Sequence, residues 1–189
     1  IKVAGKAEET LVAPQIVVAT GSNARPLPGL DFDEVKVLSN DGALDIGAAP
    51  KKLALIGAGV IGLEMGSVWR RLGTEVTVLE GMDKFLPAVD EQSSKEAKEA
   101  FDKQGLKIEL GVKIGNVDAS GAGVKVEYTN AKGEAVTLDA DKLIVSIGRT
   151  ANTKGLNPEA VGLAIDERGM IVVDDNCKTN LPGVWAVGD

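Results

Sequence analysis

Residues Gly57-Ala58-Gly59-Val60-Ile61-Gly62 set three glycines at GxGxxG spacing. The first glycine of such a run permits a tight turn. The second removes a side chain where a diphosphate must approach the backbone, and the third lets a helix lie close against a strand. The run cradles phosphates when a buried strand precedes it and an amphipathic helix follows, because the first N–H groups of that helix and its partial positive charge then face the anion. Leu53 to Ile56 is an apolar run suited to a strand buried on both faces. Gly59 to Leu72 follows helical spacing, with Ile61, Met65, Val68 and Leu72 on one side and Gly73 as a stop. Gly66 extends a stripe of small residues with Gly59 and Gly62. The second mark is Glu80, eighteen residues after Gly62 at the end of an expected strand over Glu75 to Leu79. A carboxylate there accepts from both ribose hydroxyls of an adenosine and repels a 2′-phosphate. Residues 81–86 contain no arginine, so the pattern favours NAD over NADP. The plainer reading is a glycine turn and a solvated glutamate, but strand, glycines, helix, strand and acid all come in the order a dinucleotide site needs. Glu64, in the second helical turn, reads by position alone as a dipole partner contributing about 0.3–1 kcal/mol.

Composition limits what else the chain can do. Its 189 residues carry no histidine and one cysteine. No Ser-His-Asp or Cys-His machinery, His-ligated zinc, internal disulfide or CxxC pair can be built from them. A net charge of -7 and 3% aromatic residues give no support to nucleic-acid binding. No apolar run approaches the roughly 20 residues of a membrane-spanning helix. The chain starts at Ile1 without a leader pattern, and reads as a piece of something longer or a processed product.

Around the glycine motif the elements alternate. Gln15 to Ala19 reads as a strand entered by Pro14, and Gly21 to Gly29 as loop. Ser39 can cap a short helix through Leu44. Asp90 can cap a helix to about Gln104, ended by Gly105, and Lys107 to Leu110 follows as a strand. From Lys113 to Ala140 the period becomes two, with Asn130-Ala131-Lys132-Gly133 as a turn, which indicates antiparallel strands. Lys142 to Ile147 is a further buried strand. Strands are expected at Met170 to Val173 and Val184 to Val187 in the loop-rich remainder. The fold class is α/β: a Rossmann-like dinucleotide-binding domain with a parallel sheet and an antiparallel β-meander, flanked by pieces of a second domain.

The run GAGVIGLEMGSVWRRLGTEVTVLEGMDKFLPAVD resembles the NAD-binding domain of the flavoprotein disulfide reductase family, within it the dihydrolipoamide dehydrogenase branch. Ala19-Thr20-Gly21-Ser22 is similar to the ATGS that ends the first part of that family's FAD domain. Ile147-Gly148-Arg149 is similar to the IGR closing its NAD domain, and Ala186-Val187-Gly188-Asp189 to the A-x-G-D motif that returns to the flavin. The resemblance implies that Gly57, Ala58, Gly59, Val60, Ile61, Gly62, Leu63 and Glu64 contact NAD, with Glu64 near the nicotinamide. It implies that Glu80 holds the adenosine ribose, that Ile114 packs on the adenine and that Gly148 lets the chain pass the nicotinamide end. Thr20, Gly21 and Ser22 would line the FAD nucleotide region, and Asp189 would accept from a ribityl hydroxyl.

By the same resemblance, residues 1–47 would be the tail of the first FAD-domain segment, 48–149 the NAD-binding domain and 150–189 the start of the return to the FAD domain. The resemblance to that branch implies oxidation of dihydrolipoamide to lipoamide through a redox disulfide and FAD, with NAD as acceptor. The family's first GxGxxG, its CxxxxC and its C-terminal His-Glu pair do not occur here, so this chain alone is expected to be inactive and to assign no catalytic residue or metal ligand. Cys177 reads as a small, partly buried residue. A homodimer, lipoyl domains of 2-oxoacid dehydrogenase complexes and a cytoplasmic location (alternatively the mitochondrial matrix) are further implications, with no nucleic acid and no membrane. Two alternatives stay open: another reductase of the family, such as a mercuric reductase, or a non-catalytic module that senses NAD.

Overall fold

The computed structural model describes residues 2–3 and 9–189. Residues 1 and 4–8 of the expected first segment lie outside the described residues. In chain order the elements are β1 (Lys2–Val3), β2 (Glu9–Thr10), β3 (Ile16–Val18), β4 (Ser22–Ala24), β5 (Val37–Leu38), α1 (Asn40–Leu44), β6 (Lys52–Ile56), α2 (Val60–Arg71), β7 (Glu75–Leu79), α3 (Glu91–Gln104), β8 (Lys107–Glu109), β9 (Lys113–Asp118), β10 (Val124–Thr129), β11 (Ala135–Ala140), β12 (Lys142–Val145), β13 (Arg149–Ala151), α4 (Pro158–Val161) and β14 (Val184–Ala186). They form two compact units, residues 24–148 and residues 1–23 with 149–189.

In the larger unit, β5, β12, β6, β7 and β8 make a parallel sheet in that order. Its strands bury alternate side chains on opposite faces. Leu38, Leu53, Leu55, Val76, Val78 and Ile144 join Ala43, Leu63, Trp69 and Leu106 in a core on the helix side. Val37, Ala54, Ile56, Leu79, Leu143 and Val145 join Val126, Tyr128 and Ala140 on the other. That second face is covered by the antiparallel meander of β9, β10 and β11. Burial on both sides is why these strands are short apolar runs rather than alternating ones. Each fully buried leucine contributes about 1.5–3 kcal/mol.

Local signals end the elements as expected. Ser39 Oγ accepts from the Asp41 N–H at 3.1 Å to start α1, and Asp90 Oδ1 accepts from the Ser93 N–H at 3.0 Å to start α3. At the hairpin, Asn130 Oδ1 accepts from the N–H groups of Lys132 and Glu134, each at 3.0 Å. Several expectations fail. Gly21 to Gly29 is not all loop, because Ser22–Ala24 form β4. Val68 and Leu72 are 49% and 59% exposed; the buried face of α2 is Gly62, Leu63, Gly66, Ser67 and Trp69. Gly62 and Gly66 bring the helix backbone against Leu55 and Val76, and Leu63 and Trp69 fill the core beside them. Residues 170–173 form no strand. Only a single bridge joins Ile171 to Ile165 there.

The sequence reading placed residues before 48 outside the NAD domain, but β5 and α1 belong to the larger unit's sheet and core. In the smaller unit β3 and β14 pair in parallel, Ile16 opposite Val184 and Val18 opposite Ala186. Cys177 is exposed rather than partly buried, in a tight turn where its N–H donates to the Asp174 carbonyl at 2.9 Å. Among the described residues no helix is long and apolar enough to cross a membrane, and no cluster of metal-ligating side chains occurs.

Candidate functional site

The parallel sheet changes direction at β6. The chain continues from β6 through α2 to β7 and then β8 on one side, while β12 and β5 lie on the other. The crevice beyond the strand ends at such a point is where open α/β sheets bind ligands. Gly57 to Gly59 cross it. Gly57 takes φ +104°, and a Cβ there would run into the backbone of Ser146 at the end of β12, so only glycine fits between the two strand ends. Its N–H donates to the Leu79 carbonyl at 2.9 Å. A Cβ on Gly62 would meet the Gly57 carbonyl and come within 2.9 Å of Leu55 Cδ2, so this glycine sets helix against strand. A Cβ on Gly59 would meet nothing within 4 Å. The middle glycine is therefore not required by packing, and the space beside it is open to a ligand.

Gly59 is the N-cap of α2 and supplies no side-chain cap, and the first turn contains no acid. The N–H groups at the start of α2 thus keep their positive field for an anion. Glu80 closes the other side. Its Oε2 accepts from the Ala58 N–H at 2.7 Å and its Oε1 from the Met82 N–H at 2.8 Å. The Glu80 N–H donates to Glu109 O, and Val112 N–H donates to Glu80 O, at 2.8 and 3.0 Å. Each carboxylate oxygen retains a lone pair for a hydroxyl. The open position at Gly59, the uncapped helix start and the fixed carboxylate fit a diphosphate joined to a ribose.

The other expected residues fall as follows. Val60 is 63% exposed, Ile61 half-buried and Glu64 exposed on α2. Leu63 is turned the other way: its side chain lies in the helix-side core and its N–H donates to Gly59 O at 3.0 Å. Its side chain packs in that core at the end of the helix's first turn. Ile114, on β9, is half-buried against the meander-side core opposite Tyr128. Gly148, exposed with φ +123°, has its carbonyl accepting from the Arg25 N–H at 3.0 Å.

In the smaller unit, Ser22 and Asp189 meet although 167 positions apart: Ser22 Oγ donates to Asp189 Oδ2 at 3.0 Å. Arg149, the last residue of the Ile147-Gly148-Arg149 motif, joins them. Its Nε lies 2.6 Å from Ser22 Oγ and 2.9 Å from Asp189 Oδ2, and its Nη2 donates to Ser22 O at 2.7 Å. Thr20, Gly21, Gly188 and Asp189 line a cavity of about 160 Å³ with Ala151, Thr153 and apolar side chains. Spacing could not reveal Arg149, because both partners are remote in the chain.

A three-layer α/β unit with a glycine loop at its switch point and an acid on the next strand has the architecture of the Rossmann class. The pyridine nucleotide-disulphide oxidoreductase family model matches residues 1–189. The chain belongs to that family. Dihydrolipoyl dehydrogenase of Cupriavidus necator is 56% identical over 183 residues, 97% of this chain and 39% of the relative. The crystal structure of LpdA from Mycobacterium tuberculosis superposes with a TM-score of 0.87 at 30% identity, covering 100% of this chain and 40% of that one. The HOCl-induced flavoprotein disulfide reductase RclA from Escherichia coli gives 0.84 at 29% identity, over 100% and 42%. The chain thus spans about two fifths of the proteins it matches.

Proposed function

We propose that this chain is the NAD-binding middle of a dihydrolipoamide dehydrogenase. The observation that carries the NAD part is the Glu80 carboxylate tied to the Ala58 N–H beside the open Gly59 position. The 56% identity to a dihydrolipoyl dehydrogenase over nearly the whole chain supports the branch. In this reading the start of α2 binds the diphosphate and Glu80 takes the adenosine ribose. Ile114 lines the adenine side, while Glu64 and Gly148 flank the nicotinamide. Thr20, Gly21, Ser22 and Asp189 hold part of FAD. Bound NAD would accept the hydride, and FAD would relay electrons from a redox disulfide; dihydrolipoamide becomes lipoamide.

The residues present bind and orient cofactors rather than move protons, since the chain has neither histidine nor a second cysteine. A homodimer and lipoyl domains as partners, and a cytoplasmic or mitochondrial-matrix setting, follow from the branch assignment. The likeness to RclA favours a second reading, another flavoprotein disulfide reductase with a different substrate.

The test is a fluorescence titration of the 189-residue chain with NADH, together with an assay of NADH formation from dihydrolipoamide. Saturable NADH binding and no turnover are expected. No binding overturns the NAD reading, and turnover by the chain alone overturns the division of labour.

A further inference from the structure

Glu109 closes β8 in register with Leu79 of β7, and its carbonyl accepts from the Glu80 N–H at 2.8 Å. The acid at the end of β8 is thus a backbone neighbour of the acid after β7. Register partners in a parallel sheet point to the same face, so the Glu109 side chain stands with Leu79 on the meander side. There its Oε1 accepts from the Tyr128 hydroxyl at 3.0 Å. Tyr128 is in turn the register partner of Ile114, the residue read as lining the adenine side. Burial of Tyr128, and then the Glu109 carboxylate, raise its pKa to about 12, so the phenol remains a donor. Among the described residues nothing else donates to the Glu109 carboxylate, and no ion pair includes it. A half-buried carboxylate with one neutral donor and no cation is costly if it only fills space. Its Oε2 keeps its lone pairs for a donor that the chain does not supply.

The order of the strands indicates which donor. A dinucleotide with its diphosphate at the start of α2, after β6, and its ribose on Glu80, after β7, runs across the sheet toward β8. Its base comes next, beside the end of β8 where Glu109 stands. We propose that Glu109, held by Tyr128, is a specificity-determining residue for the base: its free oxygen accepts from the 6-amino group of adenine. This rests on the dinucleotide reading above and extends it to the choice of base. A 6-oxo purine such as hypoxanthine presents a carbonyl oxygen at that position. A carboxylate cannot donate to that oxygen and repels it. The Tyr128 bond holds Oε1, so the carboxylate cannot turn away without losing its donor. A glutamine amide, with both a donor and an acceptor, would accommodate either base.

The 189-residue chain is titrated with NADH and with its hypoxanthine analogue, deamino-NADH, each followed by nicotinamide fluorescence. Wild type should bind NADH about tenfold more tightly than the analogue. E109Q should bring the two dissociation constants within about twofold of each other. Y128F should also shrink the ratio, because it releases the carboxylate that Tyr128 holds. A merely structural loss would weaken both dinucleotides alike and leave the ratio unchanged. Equal affinities in the wild type overturn the proposal without recourse to any variant, and so does an unaltered ratio in E109Q. Wild-type protein that does not bind NADH overturns the dinucleotide reading itself, which separates that failure from failure of the base assignment.

Discussion

Glu80 stands 22 positions after Ala58, yet its Oε2 accepts the Ala58 N–H at 2.7 Å. The bond joins the acid after β7 to the glycine loop after β6. A second bond from the Met82 N–H at 2.8 Å holds Oε1. The carboxylate is thus oriented before a ligand arrives, and charge-assisted bonds of this kind contribute about 1.5–3 kcal/mol each.

That orientation leads to a preference between nicotinamide dinucleotides. NADH should bind at least about tenfold more tightly than NADPH, since a 2′-phosphate would face the fixed carboxylate. E80Q should narrow the gap, chiefly by weakening NADH. Parallel fluorescence titrations measure both, and equal affinities in the wild-type chain would sink the assignment of Glu80.

The glycines of the loop should separate stability from binding. In G62A the new Cβ meets the Gly57 carbonyl, and backbone cannot move away cheaply. We expect a loss of about 1–3 kcal/mol of stability, in the range of overpacked cores. In G59A the Cβ enters open space at an N-cap. Stability should change by less than about 1 kcal/mol, while NADH affinity falls about tenfold or more. Urea unfolding and NADH titration of both variants decide it; an unaltered affinity in G59A would show that no diphosphate approaches that position.

Much of the larger unit was legible because its signals are local. Ser39, Asp90 and the Asn130–Gly133 turn each act through hydrogen bonds within four residues. The strand over Glu75–Leu79 is marked by its own apolar run. What was missed depends on distant partners. Val37 and Leu38 are too few for a period, and become a strand only by pairing with Leu143 and Ile144. The buried face of α2 was misjudged because counting large apolar residues ignores how closely Gly62 and Gly66 bring the backbone to the sheet. At the site, Gly57, Gly59, Gly62 and Glu80 follow from spacing, whereas the Arg149 link to Ser22 and Asp189 exists only in the folded chain.

Acid sensitivity should include a contribution from Asp33. Burial pushes its carboxyl pKa up, but hydrogen bonds from the Val35, Val37 and Lys36 N–H groups, with the charge of Lys36, outweigh this and hold it below its ordinary value of 3.8. A lowered folded-state pKa favours the folded chain above the unfolded pKa, and that advantage disappears as pH falls through the folded value. D33A should therefore melt a few degrees lower at pH 7, as loss of about 1 kcal/mol would produce. The gap should shrink at pH 3 and below. Thermal melts of both proteins across that range test it, and a pH-independent gap would remove the ionised carboxylate from the explanation.

Tyr128 gives the opposite dependence. It is the chain's one tyrosine, 5% exposed on β10, and its hydroxyl donates to Glu109 Oε1 at 3.0 Å across to β8. Burial, and then the neighbouring carboxylate of Glu109, push its pKa from 10.0 to about 12. The folded chain thus prefers the protonated phenol. This preference is fully present below pH 10, the unfolded value, and is lost as pH rises through about 12. Phenolate absorbance should accordingly appear with a midpoint near 12, or together with alkaline unfolding. Y128F should be less stable by about 1–2 kcal/mol at pH 7, because Glu109 loses a donor. Above pH 10 its deficit should narrow, since phenylalanine has no proton to lose. A phenolate midpoint at 10 in the folded chain would contradict the buried pairing of Tyr128 with Glu109.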